Sequence, residues 1–438
     1  MSAPIDLRLL PATAAVSSDG RLSIGGCDLG ELAERFGTPL FVYDEAHLRA
    51  RCQEYVAAFG PDSVAYAGKA FLCRAMVRLV ADEGLHLDVA TGGELHVALA
   101  AGFPPARIVF HGNNKADEEL STALASGVGR IVADSFAELD RLEALSKAGQ
   151  QTPRVMLRVT PGVEAHTHEY IETGTEDSKF GFPVRPGDAV EAAKRVAASP
   201  HLELAGLHCH IGSQIHVLQS YAAAAAIVVG LAAEVERAAG PGAVKELNLG
   251  GGLGIAYHDG DEPPTVAEYA SVLHRALDEA LADAGLASRP ALLVEPGRSI
   301  AATAGMTLYR VGTIKEIAGV RTYVAVDGGM SDNARPATYG ARYEAFLPER
   351  VTAERPLVAT VAGKHCEQGD LLVRNATLPA DVAVGDLLCT PATGAYGYAM
   401  ASNYNKVPRP AVVFVRDGEA RPVVRRETLD DLLRLEEE

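Results

Sequence analysis

Between residues 60 and 300 the chain alternates two textures. Eight short apolar runs recur, at 63–67, 85–90, 107–111, 130–134, 154–159, 204–210, 246–249 and 291–295. Most are rich in Val, Ile or Leu without polar alternation, which suits strands covered on both faces. Between them lie stretches of helical character, such as 94–101, 116–126, 136–148 and 186–198. Eight strands separated by helices predict an α/β fold built on a closed (β/α)8 TIM barrel. An open doubly wound sheet is the alternative. The barrel is preferred because the count is eight and the unusual residues cluster just after the strands.

From about Met306 the texture changes to short runs parted by turn signals, at 307–317, 321–326, 357–361, 370–373, 382–388 and 411–415. Turns such as Asp327-Gly328-Gly329 and Asp417-Gly418 separate them, and this reads as a C-terminal all-β, barrel-like domain. The first forty residues are strand-like in part (22–24, 40–43) and are expected to pack on the β domain. The expected division is an N-terminal segment over 1–46, the barrel over 47–304 and the β domain over 305–438.

Length and charge narrow the field. With 438 residues, about two or three domains are expected. Forty basic against fifty-seven acidic residues give a net charge of −17, which argues against nucleic acid or an anionic membrane as partner. Small anions stay open, because a glycine nest or a few arginines bind phosphate inside an acidic protein. The six cysteines are scattered with no CxxC pair, which predicts reduced thiols and a cytoplasmic location. The N-terminal residues show no basic segment followed by an apolar one, and the apolar stretch 222–235 is too short to span a bilayer.

The segment after each predicted strand carries the candidate chemistry, since barrel sites form at the carboxyl ends of strands. Strand one leads to Lys69, set among small residues, where desolvation would prepare an amine to join an aldehyde. A surface lysine is the plain alternative. Strand two ends at Asp88, strand three at His111, and strand five contains Arg158. Strand six ends in His208-Cys209-His210, followed by Ser213; His210 would stack on an aromatic cofactor. Zinc at His208/His210 or at His166/His168 is not expected, because no remote Cys or His pair completes a tetrahedral set. Strand seven runs into Gly250-Gly251-Gly252, whose bare N–H groups suit an anion, although a flexible turn would look the same. Strand eight ends at Glu295, then Gly297 and Arg298; the acid would hold a pyridinium N–H or simply pair with Arg298.

Taken together and in order, these stretches resemble the fold type III pyridoxal-phosphate enzymes, which include diaminopimelate, ornithine and arginine decarboxylases and, more distantly, alanine racemase. The matching segments are YAGKA (66–70), DVATGGEL (88–95), HGNNK (111–115), PGVEAHTHEYIETG (161–174), KFGF (179–182), HCHIGSQ (208–214), NLGGGLG (248–254), EPGRS (295–299), DGGMSDNARPATYGARY (327–343), GKHCEQGD (363–370) and GAYGYAMASNYN (394–405). They span nearly the whole chain, and the diaminopimelate branch matches best. The resemblance implies pyridoxal 5'-phosphate as cofactor, joined to Lys69. It implies Asp88, His210, Ser213, Gly251, Gly252, Glu295, Gly297, Arg298 and Tyr396 around it, with Glu295 on the ring nitrogen and Tyr396 at the phosphate end. It implies Arg298, Arg335, Tyr339, Glu367 and Tyr396 for the substrate, and Cys366 and Glu367 supplied across a homodimer interface. Lys69, Cys366, Glu295 and His210 would be catalytic.

Gln368 departs from the Ser more common there, which should alter local hydrogen bonding only. The implied activity is decarboxylation of meso-2,6-diaminopimelate to L-lysine. Arg298 and Arg335 suit its distal carboxylate and Glu367 its ammonium. A decarboxylase of ornithine or arginine and a non-catalytic homologue are the alternatives.

Overall fold

The computed structural model describes residues 5–149, 151–163, 178–184 and 187–437. His166, His168, most of the stretch 161–174 and Pro186 lie outside them. The chain divides into two units: Met1–Arg51 with Ile255–Glu262 and Arg298–Glu438, and Cys52–Gly254 with Pro263–Gly297.

The second unit is the barrel. Its strands are β1 (Ala65–Ala67), β2 (His86–Val89), β3 (Ile108–Phe110), β4 (Arg130–Ala133), β5 (Arg154–Thr160), β6 (Glu203–His208), β7 (Glu246–Asn248) and β8 (Ala291–Leu293). Each pairs in parallel with the next. The ring closes where Ala65 N–H donates to Val294 O at 2.9 Å and Val294 N–H to Ser63 O at 2.9 Å. Closure rules out the open sheet that the run pattern alone permitted. Ala65, Val109, Val132, Met156, Ala205 and Leu293 fill the interior, so the barrel is a packed core.

Strand ends hand over to helices through ordinary caps. Thr91 Oγ1 accepts from Glu94 N–H ahead of Gly92–Ala100, and Ser135 Oγ accepts from Glu138 N–H ahead of Phe136–Lys147. Thr265 and Glu268 form a reciprocal capping box at Val266–Ala284. The apolar stretch 222–235 sits inside the helix Gln219–Ala239. No helix among the described residues is long and apolar enough to cross a membrane.

The first unit is built on an eight-stranded mixed sheet. Its spine is the thirteen-residue strand Gly305–Ile317, flanked by Leu40–Asp44, Arg321–Val326 and Leu387–Thr390. Leu357–Ala362 and Leu371–Leu378 extend one side, and Ala411–Arg416 and Glu419–Val424 the other. Leu22, Ile24, Leu40, Val42, Met306, Leu308 and Val413 share one core. Two expectations need correction here. The run at 382–388 is mostly loop, with the strand at Leu387–Thr390, and Glu419–Val424 is a strand the apolar pattern did not show. That last strand is an edge with no buried position, so it carries no apolar signature.

Candidate active site

The loops that follow the barrel strands bring most of the expected residues to one rim. Lys69 stands on a single helical turn, Gly68–Ala70, right after β1. That turn is packed tightly. A Cβ at Gly68 would lie 2.9 Å from Asp88 O, and one at Gly297 would lie 2.9 Å from Ala67 Cβ. The Lys69 turn is therefore wedged between the ends of β2 and the loop after β8. Lys69 itself is exposed within the single chain.

Glu295 is buried on this rim, at 6% exposure, and is held by three hydrogen bonds. Its Oε1 accepts from His111 Nε2 at 2.7 Å and from Asn248 Nδ2 at 2.6 Å; its Oε2 accepts from His208 Nε2 at 3.1 Å. Among the described residues these three are its partners, so the Glu295–Arg298 pair allowed by the sequence is not what forms. Burial alone would raise this carboxyl, but His111 and His208 hold it well below the usual carboxylate range. Asp88, 3.7 Å from His111 Nε2, has no such set of donors, and burial pushes it up to about 6. Burial disfavours charge on His111, yet Asp88 and Glu295 on either side push it up. His208, next to a single carboxylate, is brought down to about 4 by burial and is neutral.

The glycine run is a steric requirement and not a loose turn. A Cβ at Gly251 would lie 2.0 Å from Glu295 O, at Gly252 2.3 Å from Gly212 O, and at Gly250 2.6 Å from Cys209 O. The backbone there also fixes side chains. Gly250 N–H donates to Asn248 Oδ1 at 2.9 Å, which turns the Asn248 amide so that its NH2 faces Glu295. Gly251 N–H donates to His210 Nδ1 at 3.3 Å, which leaves the imidazole proton on Nε2. Burial, with Lys69 and Arg158 nearby, pushes His210 well below its ordinary value, so the half-buried ring is neutral. Ser213, also partly buried, directly follows Gly212, whose carbonyl closely approaches Gly252.

This set suits pyridoxal phosphate. Two of the four acceptor positions on Glu295 are taken on Oε1, while Oε2 holds one donor and keeps one lone pair for a ring N–H. A neutral imidazole, an amine and a run of side-chain-free backbone complete the complement. His111, His208 and Glu295 also lie close enough for a metal ion. The direct 2.7 Å contact between His111 and Glu295, however, is a hydrogen bond shorter than the gap between two ligands around one ion.

A second cluster lies within the other unit. Arg298 and Arg335 are both buried at 6% exposure. Arg298 donates to Tyr257 OH at 2.5 Å and lies 4.7 Å from the Tyr396 ring centre. Arg335 donates to Tyr343 OH and lies 4.5 Å from the Tyr257 ring centre. Burial pushes the Tyr343 phenol up to about 12, so it stays protonated beside the guanidinium. Arg335 has tyrosines for partners and no carboxylate among the described residues, and an uncompensated buried cation is costly. Tyr257 and Tyr343 were not singled out in the sequence. Tyr343 falls inside a quoted motif, but nothing local marks Tyr257, which the excursion Ile255–Glu262 carries into this unit.

Cys366 and Glu367 are not brought to that cluster by hydrogen bond or ion pair. They sit exposed on a turn where Cys366 N–H donates to Asn405 Oδ1 at 3.0 Å. His365 and Asp370, joined at 2.8 Å, anchor the turn from below. Tyr339 is half-buried at the end of the short helix Arg335–Tyr339.

Comparison with known proteins extends these observations. Residues 45–302 match the family model described as the pyridoxal binding domain of pyridoxal-dependent decarboxylases. The chain is 50% identical to a diaminopimelate decarboxylase of Mycobacterium tuberculosis over 425 residues, covering 95% of each. It is 49% identical to that of Bacillus subtilis over 431 residues, covering 98% of each. The fold is similar to a crystal structure of diaminopimelate decarboxylase from M. jannaschii in co-complex with L-lysine, with a TM-score of 0.89 and 35% identity over 96% of this chain and 97% of that one.

Proposed function

The chain belongs to the pyridoxal-dependent decarboxylase family, and from that premise we propose that it converts meso-2,6-diaminopimelate to L-lysine and CO2 with pyridoxal 5'-phosphate. The observation that carries the reading is the buried carboxylate of Glu295, ionised and still able to accept one more hydrogen bond, at the rim where Lys69 stands. When bound, the cofactor supplies an electron sink for the pair released as the Cα–carboxylate bond breaks.

The residues divide the remaining work. Lys69 attaches the cofactor through its amine. Glu295 keeps a proton on the ring nitrogen. His210, neutral and fixed by Gly251 N–H, would pack against the ring and exclude water from that side. Asp88 and Gly297 shape the seat of the Lys69 turn, and Ser213 with Gly251, Gly252 and neighbouring N–H groups receives the phosphate, with Tyr396 at the same end.

Arg298 and Arg335, with Tyr339 and Tyr396, hold the substrate's distal carboxylate. A buried guanidinium partnered only by phenols supports an anionic ligand there, and arginine offers it a two-pronged donor. A pocket for ornithine or arginine would favour acids at these positions. Cys366 and Glu367, exposed within one chain, come from a second copy in a homodimer. Glu367 faces the substrate ammonium, and either Cys366 or Lys69 returns the proton to Cα. An acidic chain without paired thiols fits a cytoplasmic enzyme with neither nucleic acid nor membrane as partner.

The test is CO2 release from meso-, LL- and DD-diaminopimelate, ornithine and arginine with added pyridoxal phosphate. The meso isomer should be turned over fastest. Faster release from ornithine or arginine, or no release from any, overturns the reading.

A further inference from the structure

Glu295 needs a compensating charge, and among the described residues the groups in contact with it that could carry one are imidazoles. Its partners are two imidazoles and an amide. The two rings are 4.6 Å apart and nearly perpendicular, so charging both at once is unfavourable. They are not equivalent. His111 Nε2 lies 2.7 Å from Glu295 Oε1 and 3.7 Å from Asp88 Oδ1, between two acids. Among the described residues the hydrogen bond of His208 is to Glu295, the one carboxylate within ion-pair distance, and its Nδ1 is buried without a hydrogen-bond partner. A second proton on His208 would sit on that orphaned nitrogen, whereas the charge of a doubly protonated His111 lies beside two carboxylates, both of which face its Nε2.

The turn that carries His111 is itself fastened. Lys115, 1% exposed, donates to Gly112 O at 2.7 Å, Val132 O at 2.8 Å and Glu138 Oε1 at 2.5 Å. Glu138 Oε2 in turn accepts from Asp134 N–H at 3.2 Å. A buried ion pair and two carbonyl contacts thus pin the 111–115 turn to the end of β4. It accounts for the lysine of the HGNNK segment, which the proposed chemistry leaves without a task.

We propose that His111 is a positioning residue that carries the positive charge compensating Glu295, that His208 is its neutral partner, and that Lys115 with Glu138 locks the turn presenting His111. This rests on the reading of Glu295 as the group facing the cofactor's ring nitrogen. The groups facing His111 are Asp88 from β2, Glu94 from the following helix, Arg158 from β5, His208 from β6 and Glu295 after β8, with Lys69 beside Asp88 and Glu94. The acids outweigh Arg158, which is consistent with the upward direction for His111. With one imidazolium in place, Glu295 stays ionised in a dry site and Oε2 remains open to one further donor.

The experiment is a pH titration of the imidazole nitrogens by NMR in full-length protein labelled with 15N-histidine, with and without pyridoxal phosphate. His111 is identified among the thirteen histidines by His111→Gln. Should that variant fail to fold, Asp88→Asn identifies it instead, by shifting the signal flanked by both acids. His111 is expected to keep both ring protons at pH values above the ordinary imidazole range, and to lose that behaviour in Glu295→Gln. His208 is expected to stay singly protonated throughout.

In the loaded enzyme, His111→Gln keeps a neutral hydrogen bond but no charge, and should lower kcat by about 10–100-fold with KM little changed. A neutral His111 at pH 7 in the cofactor-free protein, or a His111 signal indifferent to Glu295→Gln, overturns the proposal. Full activity of Glu295→Gln would sink the functional reading instead, and the cofactor-free titration would still decide the protonation on its own terms.

Discussion

Two acids stand at opposite ends of the barrel strands, and their partners differ in kind. Glu246 opens β7 at the amino-terminal rim. Arg130 Nε reaches its Oε2 at 2.5 Å, and Arg154 reaches its Oε1 at 2.7 Å. Glu295 follows β8 at the carboxyl-terminal rim and is held by His111, His208 and Asn248. Burial works against both charges, and the partners reverse it in both. The difference is that guanidinium groups cannot give up their charge, whereas an imidazole can. An acid between two arginines is saturated and structural. An acid between two histidines is ionised yet adjustable, and keeps room for another donor. This matches the general division of barrels into a stabilising amino-terminal face and a working carboxyl-terminal face.

The sharpest way to break this comparison is to neutralise each acid without changing its size. Glu295→Gln should cost about 10²–10³-fold in kcat, the scale of one lost electrostatic contact in a preorganised site. Its loss of stability should be small, since His111 can shed its proton when the acid is gone. The readouts are steady-state kinetics and a urea unfolding midpoint on the same preparation. A stable, fully active variant would erase the distinction.

Glu246→Gln should do the reverse. It leaves Arg130 without its acid and Arg154 with only the longer 3.7 Å contact to Glu203, and neither guanidinium can neutralise itself. With Arg154 about a third exposed, the loss should fall near the lower bound for broken buried pairs, about 3 kcal/mol. Its kcat should stay within about twofold of the parent, because the group is remote from the working rim.

The same pair sharpens the comparison through pH. Glu246 has its folded value depressed by Arg130 and Arg154 against burial. Its contribution is therefore present above the unfolded value of about 4.3 and is lost as pH falls through the lower folded value. The difference in urea midpoint between the parent and Glu246→Gln should be constant from pH 7 to 5 and shrink below about 4.3. A difference that grows on acidification would contradict the assignment.

The smallest effect is expected from Arg154→Lys, which keeps the charge but loses the planar donor. A loss of about 1 kcal/mol or less is expected, because Arg130 retains its two contacts with Glu246. Thermal unfolding would resolve it as a shift of a few degrees at most.

Much of this was legible in the order of residues. Buried parallel strands must be apolar on both faces, so the eight barrel runs stood out and their bounds were found within about two residues. The rim was legible for a related reason: Asp88, His111, His208 and Glu295 are polar groups at the ends of apolar runs, where a core would not tolerate them. The edge strand Glu419–Val424 was not legible, because an exposed edge needs no apolar positions. Tyr257 was not, because its partners Arg298 and Arg335 are 41 and 78 residues away and no periodicity links them. Lys69 was legible as an amine at a strand end, but its exposure was not.

Composition and spacing along the chain determined the barrel, the set of groups on its rim and the family to which they belong, since these follow from which residues tolerate burial and which close approach. The tertiary structure alone decided which partner each group takes. That Glu295 pairs with His111, His208 and Asn248 and not with nearby Arg298, and that Gly251 sets the His210 tautomer, depends on distances of about 3 Å between residues from different strands. Hydrogen bonding and charge compensation act over that range, and no local pattern in a chain encodes it.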